Sequence, residues 1–327
     1  MIIDERTTLS PSPEIHFQAP LTDIHHHVVP PEYLEALESL GLDTSRFPDW
    51  TPRKSLQLMT RLGISKALLS LSSPGVWFGD QWKARALART CNDYVARLKS
   101  QDPSRFGGLA ILPFPDMDGS RQELARALDS LGLDGVILFS NVAGRYVGDP
   151  EYDELMADLH QRKATVLLHP NDLPEDDPNA PLYPWAESPI DLARAWSRMV
   201  YREILVRFRG IRWVLAHAGG VVPFVADRLG KVHYLKNEKP RWGRILLDIA
   251  RNRDGGLELA KGVEYDAVGA ANPITLAGLR RLAGPGRIRF GSNFPWDSEE
   301  QVEVATRFLT RGPDPLPTGA TDRRVEG

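Results

Sequence analysis

Leu21-Thr22-Asp23-Ile24-His25-His26-His27-Val28 decides the reading of this chain. A short run with apolar and β-branched residues reads as a strand, and this one carries three consecutive imidazoles. Successive side chains on a strand point to opposite faces, so His25 and His27 share a face and can grip one ion, while His26 points the other way. Working outward, other apolar runs end in the same manner: Leu168-His169-Pro170, Ala216-His217-Ala218-Gly219-Gly220 and Phe290-Gly291-Ser292-Asn293-Phe294-Pro295.

These runs belong to a longer series. Strand candidates fall at residues 21–28, 64–71, 106–112, 135–140, 164–169, 211–217, 263–268 and 288–292, eight in all. Segments between them, such as 121–131, 152–163, 190–207 and 299–309, carry apolar residues at helical spacing. Regular alternation of this kind predicts parallel strands joined by helical crossovers, an α/β fold. A closed (β/α)8 TIM barrel of about 250 residues accounts for the count. The surplus sits in loop insertions at 43–50 and 171–187. The expected organisation is a lead-in over 1–20, a single barrel domain over 21–311 and a tail over 312–327. The proline-rich stretch 173–185 is a candidate lid or interface loop.

Composition narrows the function classes. With 327 residues, 42% of them hydrophobic, the chain can bury a full core. A net charge of −3 with both signs interspersed offers no footprint for nucleic acid or an anionic membrane. No apolar run approaches membrane-spanning length, and residues 1–20 lack a charged-then-apolar targeting pattern. Cys91 is the single cysteine, which excludes an internal disulfide and a cysteine-based zinc cluster and suits a cytoplasmic setting.

A lone histidine after a strand is ordinarily a hydrogen-bonded packing residue. Barrel strands, however, deliver their C-terminal ends to one rim, where catalytic groups gather. His25, His27, His169 and His217 all occupy such ends, and their convergence points to a metal site. His16, His160 and His233 lack that placement and read as surface or packing residues.

In this order the landmarks resemble the amidohydrolase-related decarboxylases, the group that includes aminocarboxymuconate semialdehyde and 6-methylsalicylate decarboxylases. They are Asp23 to His27, Ser73-Pro74-Gly75-Val76-Trp77-Phe78, Cys91-Asn92-Asp93-Tyr94, Val147-Gly148-Asp149-Pro150, His169-Pro170, His217-Ala218-Gly219-Gly220, Tyr265-Asp266 and Gly291-Ser292-Asn293. The resemblance implies a barrel with one divalent metal, zinc or manganese, and no organic cofactor. It implies His25, His27 and His169 as metal ligands together with position 293, and His217 as acid/base. Arg228, eleven residues beyond His217, matches an arginine that reaches a substrate carboxylate across a homodimer interface.

The residue types suit that chemistry. Losing carbon dioxide from an aromatic acid requires the carboxyl-bearing carbon to become tetrahedral first, so some group must add a proton or hydroxide there. A dication orients the carboxylate and a neighbouring oxygen, or lowers the pKa of a water. An unperturbed imidazole titrates within reach of physiological pH, so His217 is expected to shuttle the proton, and Arg228 offers a planar fork for a carboxylate, against the plain alternative of a surface ion pair. Trp77 and Phe78 follow a strand end and either stack on a substrate ring or pack as ordinary aromatics. Arg194 either lines the pocket or pairs with Asp191 on its helix. Asp266 reads as an orienting partner of a histidine. Ser55 stands where related sequences often carry an arginine, with Arg53 and Lys54 close by.

Asn293 departs from the pattern, which has aspartate there. An amide oxygen is a weaker, neutral ligand and delivers no proton at neutral pH. Three readings are open: an aspartate replaced so as to trap a substrate complex, transfer of the role to Asp266 or to Asp297 beyond the rim, or a catalytically silent binder. The expected function is metal-dependent, non-oxidative decarboxylation of a small aromatic or unsaturated carboxylic acid. Its rivals are a hydrolase or hydratase on the same scaffold and a non-catalytic binder of aromatic acids. The sequence does not choose the acid, nor zinc over manganese.

Overall fold

Strands buried on both faces need apolar side chains at every position, and Gly135-Val136-Ile137-Leu138-Phe139 meets that demand, each residue being buried. The computed structural model describes residues 17–172, 184–229 and 255–311. Most of the expected lead-in, the 173–185 lid candidate except its last two residues, His16, His233 and the 312–327 tail lie outside the described residues.

The strands are β1 (Leu21–Val28), β2 (Ile64–Leu71), β3 (Phe106–Ala110), β4 (Gly135–Phe139), the short hairpin β5 (Asn141–Val142) and β6 (Arg145–Tyr146), β7 (Thr165–His169), β8 (Arg212–Leu215), β9 (Glu264–Asp266) and β10 (Ile288–Arg289). Eight of them form one sheet in the order β1-β2-β3-β4-β7-β8-β9-β10, and every neighbouring pair is parallel. All eight expected strands are present, those toward the C-terminus shorter than their apolar runs. The β5–β6 hairpin was not expected.

Helices fill the crossovers: α1 (Pro31–Ser39), α2 (Pro52–Leu62), α3 (Gln81–Gln101), α4 (Met117–Ala125), α5 (Asp153–Gln161), α6 (Pro184–Tyr201), α7 (Ile204–Arg207), α8 (Val222–Leu229), α9 (Gly255–Gly262), α10 (Pro273–Ala283) and α11 (Glu299–Arg311). Their starts follow local rules. Thr51 caps α2 by accepting from the Lys54 N–H with Pro52 behind it, and Asn272 caps α10 from the Thr275 N–H. The continuous helix expected over 190–207 is broken at Glu203, whose φ is +59°. No glycine or proline marks that break; the turn delivers Ile204, fully buried, to the core.

Closure falls to β1. Its backbone pairs with the chain beyond β10 through Ile24 N–H to Phe290 O (3.1 Å), Asn293 N–H to His25 O (2.8 Å) and His27 N–H to Phe294 O (2.7 Å). Asp23, fully buried, reinforces the seam: Oδ1 accepts from the N–H groups of His25 (3.1 Å) and Ser292 (3.0 Å), and Oδ2 lies 2.9 Å from His26 Nδ1. Asp23→Ala would strand those buried donors, each worth about 1–3 kcal/mol. The urea midpoint of unfolding should fall by an amount corresponding to about 3 kcal/mol or more, whereas an exposed control such as Asp43→Ala should leave it near the wild-type value.

Candidate metal centre

Four imidazoles from three strand ends meet at the C-terminal rim. His25 and His27 lie on β1, His169 ends β7, and His217 follows β8. Ring centroids of His25 stand 4.7 Å from His27, 4.9 Å from His169 and 5.0 Å from His217. His27 and His169 are 5.2 Å apart, and His169 and His217 5.1 Å. One ring nitrogen each of His25, His169 and His217 falls within a 4.8 Å cluster, and His27 Nε2 lies 2.9 Å from His25 Nε2.

Hydrogen bonding separates three of these rings from the fourth. His25 Nδ1 faces Asp266 Oδ2 at 2.6 Å, His169 Nδ1 faces Pro170 O at 2.6 Å, and His27 Nδ1 faces Ser70 O at 3.3 Å and Ser70 Oγ at 3.1 Å. Carboxylate and carbonyl oxygens only accept, so each Nδ1 carries the proton and each Nε2 presents a lone pair. Lone pairs of His25 and His27 therefore face each other at 2.9 Å, an arrangement that a cation between the rings relieves. Burial and the neighbouring imidazoles hold His27 and His169 well below the usual histidine range, which keeps those lone pairs free near neutral pH. The donor set fits a divalent transition metal.

His217 differs. Its Nδ1 has no partner among the described residues, and its Nε2 lies 3.4 Å from His169 Nε2. Burial and the nearby His25 lower its pKa to about 4. The ring rides on unusual backbone: His217, Ala218, Gly219 and Gly220 have φ of 51°, 56°, 77° and 58°. A Cβ at Gly219 would meet the Tyr265 ring at 2.6 Å, and one at Gly220 would meet Pro189 O at 2.5 Å. Glycine is required at both. Asp266 pins this turn as well, because its Oδ1 accepts from the Ala218 N–H (3.2 Å) and the Val268 N–H (3.0 Å).

The remaining candidates are spread around the rim. Asn293 is 7% exposed, has φ of +57°, and its Nδ2 donates to Asp297 Oδ1 at 2.8 Å. Asp297 therefore does not lie clear of the site, contrary to the expectation from its four-residue offset. Burial raises its pKa against the opposing hydrogen bond from Asn293. His26 turns away from the cluster to a buried pairing with Asp23 and with Ser55 Oγ (2.8 Å), the latter also accepting from Trp50 Nε1. Ser55 thus serves packing and not the pocket. Trp77 and Phe78 sit half-buried in the loop after β2, packed on the core. Arg194 lies 3.9 Å from both Asp191 Oδ1 and Glu187 Oε2. Arg228 is exposed on α8.

Sequence reasoning missed two groups. Asp191 is fully buried beneath Ser140 Oγ, Asn141 Nδ2 (2.8 Å) and Tyr146 OH (2.6 Å), and Ser140 Oγ in turn accepts from the Asn171 N–H (3.0 Å). That network braces the chain leaving His169. Arg46, in the 43–50 insertion, reaches to 3.7 Å from Asp172 Oδ2, while Phe47 beside it packs 5.7 Å from Trp296. In the ring of strands β7 is four places from β1, so the loop after β1 reaches the far rim. Its length was a signal; its direction was not.

Fold and site together define a (β/α)8-barrel protein with an imidazole-rich candidate metal centre at its C-terminal rim. The chain belongs to the amidohydrolase family, whose sequence pattern matches residues 22–322. It is 33% identical over 309 residues to a 6-methylsalicylic acid decarboxylase from Aspergillus aculeatus, covering 91% of each chain. Among solved structures, an amidohydrolase II superposes with a TM-score of 0.76 at 28% identity, covering 86% of this chain and 90% of that one. A dihydroxybenzoic acid decarboxylase from Polaromonas, solved with manganese and 2-nitroresorcinol, gives 0.71 at 20% identity, covering 88% and 90%. That last likeness is one of fold.

The lowered histidine pKa values have a consequence for stability. A histidine whose folded pKa lies below its unfolded value of about 6.5 binds protons more readily once unfolded, so stability falls as pH falls. For His217 the loss runs from about pH 6.5 down to about pH 4. The urea midpoint of chelator-treated protein should decline across that window, and His217→Gln should make the decline shallower. A midpoint flat from pH 7 to 4 would contradict buried neutral imidazoles.

Proposed function

We infer that this protein is a metal-dependent, non-oxidative decarboxylase of a small aromatic carboxylic acid. The observation that carries the reading is the set of three inward Nε2 lone pairs, each fixed by an acceptor behind it, in a chain 33% identical to a 6-methylsalicylic acid decarboxylase. His25, His27 and His169 would hold the metal, with Asn293 Oδ1 as a neutral fourth donor. When bound, a divalent ion supplies Lewis acidity that orients and polarises the oxygens of an ortho-hydroxy carboxylate.

The other residues divide the remaining work. His217, neutral near pH 7 and with no Nδ1 partner among the described residues, takes up a proton from solvent at a ring nitrogen and gives it to the carboxyl-bearing carbon. That carbon becomes tetrahedral, the bond to the carboxylate breaks, and its electron pair restores the aromatic ring. Asp266 keeps His25 in its ligating tautomer and holds the His217 turn. Trp77 and Phe78 offer half-buried aromatic surface for the substrate ring, and Arg194 a cation on the same face of the barrel. Arg228, exposed on α8, would reach the substrate carboxylate of a second copy of this chain in a homodimer.

One observation favours a silent binder instead: the amide at 293, which releases no proton. The two readings diverge in a single assay. Protein loaded with manganese or zinc should release carbon dioxide from 6-methylsalicylate or 2,6-dihydroxybenzoate, lose that activity on chelation, and regain it on adding either metal. His217→Ala should lower kcat by about 100-fold or more. Metal-loaded protein that binds these acids yet releases no carbon dioxide, even as Asn293→Asp, would favour the binder; incorporation of water into product would favour a hydrolase.

A further inference from the structure

The amide of Asn293 has two chemically different ends, and only the oxygen can ligate a cation. In a free asparagine the two ends exchange by rotation about the terminal bond. Here Asp297 removes that freedom. Its Oδ1 accepts a hydrogen bond from Asn293 Nδ2 at 2.8 Å. The amide nitrogen must therefore face Asp297, which turns the oxygen of the same planar group away from it. Asn293 Oδ1 accepts no hydrogen bond from any described residue. The backbone on either side is equally constrained: Asn293 N–H donates to His25 O at 2.8 Å, and Asn293 O accepts from the N–H groups of Trp296 (2.9 Å) and Asp297 (3.1 Å).

We propose that Asp297 is a positioning residue for the metal centre, orienting the Asn293 amide so that its oxygen serves as the neutral donor in place of a carboxylate. The pair forms a unit: asparagine at 293 needs an acceptor at 297, whereas aspartate at 293, with two equivalent oxygens, needs none. This inference rests on the metal-site reading given above.

The requirement reverses sign with the residue at 293, and that reversal is the test. Cobalt(II) binding by titration calorimetry and the visible absorption of the bound cobalt report the ligand set without any substrate. Asp297→Asn in the native background should weaken cobalt binding about 10-fold and change its absorption, because the amide is no longer held one way round. In the Asn293→Asp background the two carboxylates repel at close range, so adding Asp297→Asn should leave binding as tight or tighter. Thermal midpoints of the metal-free variants show that each is folded. Native affinity and spectrum in Asp297→Asn, or the same loss in both backgrounds, would overturn the proposal while leaving the metal site intact. Failure of the unmodified protein to bind cobalt would overturn the metal site and this proposal with it.

Discussion

One carboxylate holds two parts of the site. Asp266 ends β9, fully buried, with Oδ2 on the His25 ring and Oδ1 on the backbone N–H groups of Ala218 and Val268. The first contact sets the tautomer of a proposed ligand, and the second anchors the turn that carries His217. A buried carboxylate is costly unless its oxygens are filled, and here every contact that fills them also positions an imidazole or the strand beside one. Asp23 does the matching work one seam away, where β1 meets the chain beyond β10. The rim is thus organised by two acidic groups beneath the histidines, not by the histidines themselves.

Much of this was readable from the chain. Parallel strands enclosed by helices need uninterrupted apolar runs, so β4 and β7 stand out in the sequence, and β1 does so through its histidines. The period of a strand separates His25 and His27 from His26, and the structure turns His26 toward Asp23 and Ser55 as that alternation requires. The shortness of β10 was less visible, because backbone pairing with β1 continues past its two residues into chain that is not regular strand.

What stayed hidden has a common cause: it depends on where loops go. Asp297 sits four residues past Asn293, and only the tight turn after β10 folds it back onto the amide. Asp191 is on a helix whose neighbours in space, Ser140, Asn141 and Tyr146, come from another crossover. Arg46 faces Asp172 from across the barrel. Periodicity describes elements and is silent on loop trajectories, while the break at Glu203 lacked even a glycine or proline to announce it.

The left-handed run from His217 to Gly220 limits how this protein could diversify. With no room for a Cβ at 219 or 220 and three backbone groups engaged, that wall of the site tolerates almost no variation, so natural drift there would be purged. Change in ligand preference would then fall to the loops after β1 and β2 that bear Arg46 and Trp77, whose side chains are partly exposed. One arc of the rim is thus held rigid by its own backbone, while another presents side chains that no such constraint fixes.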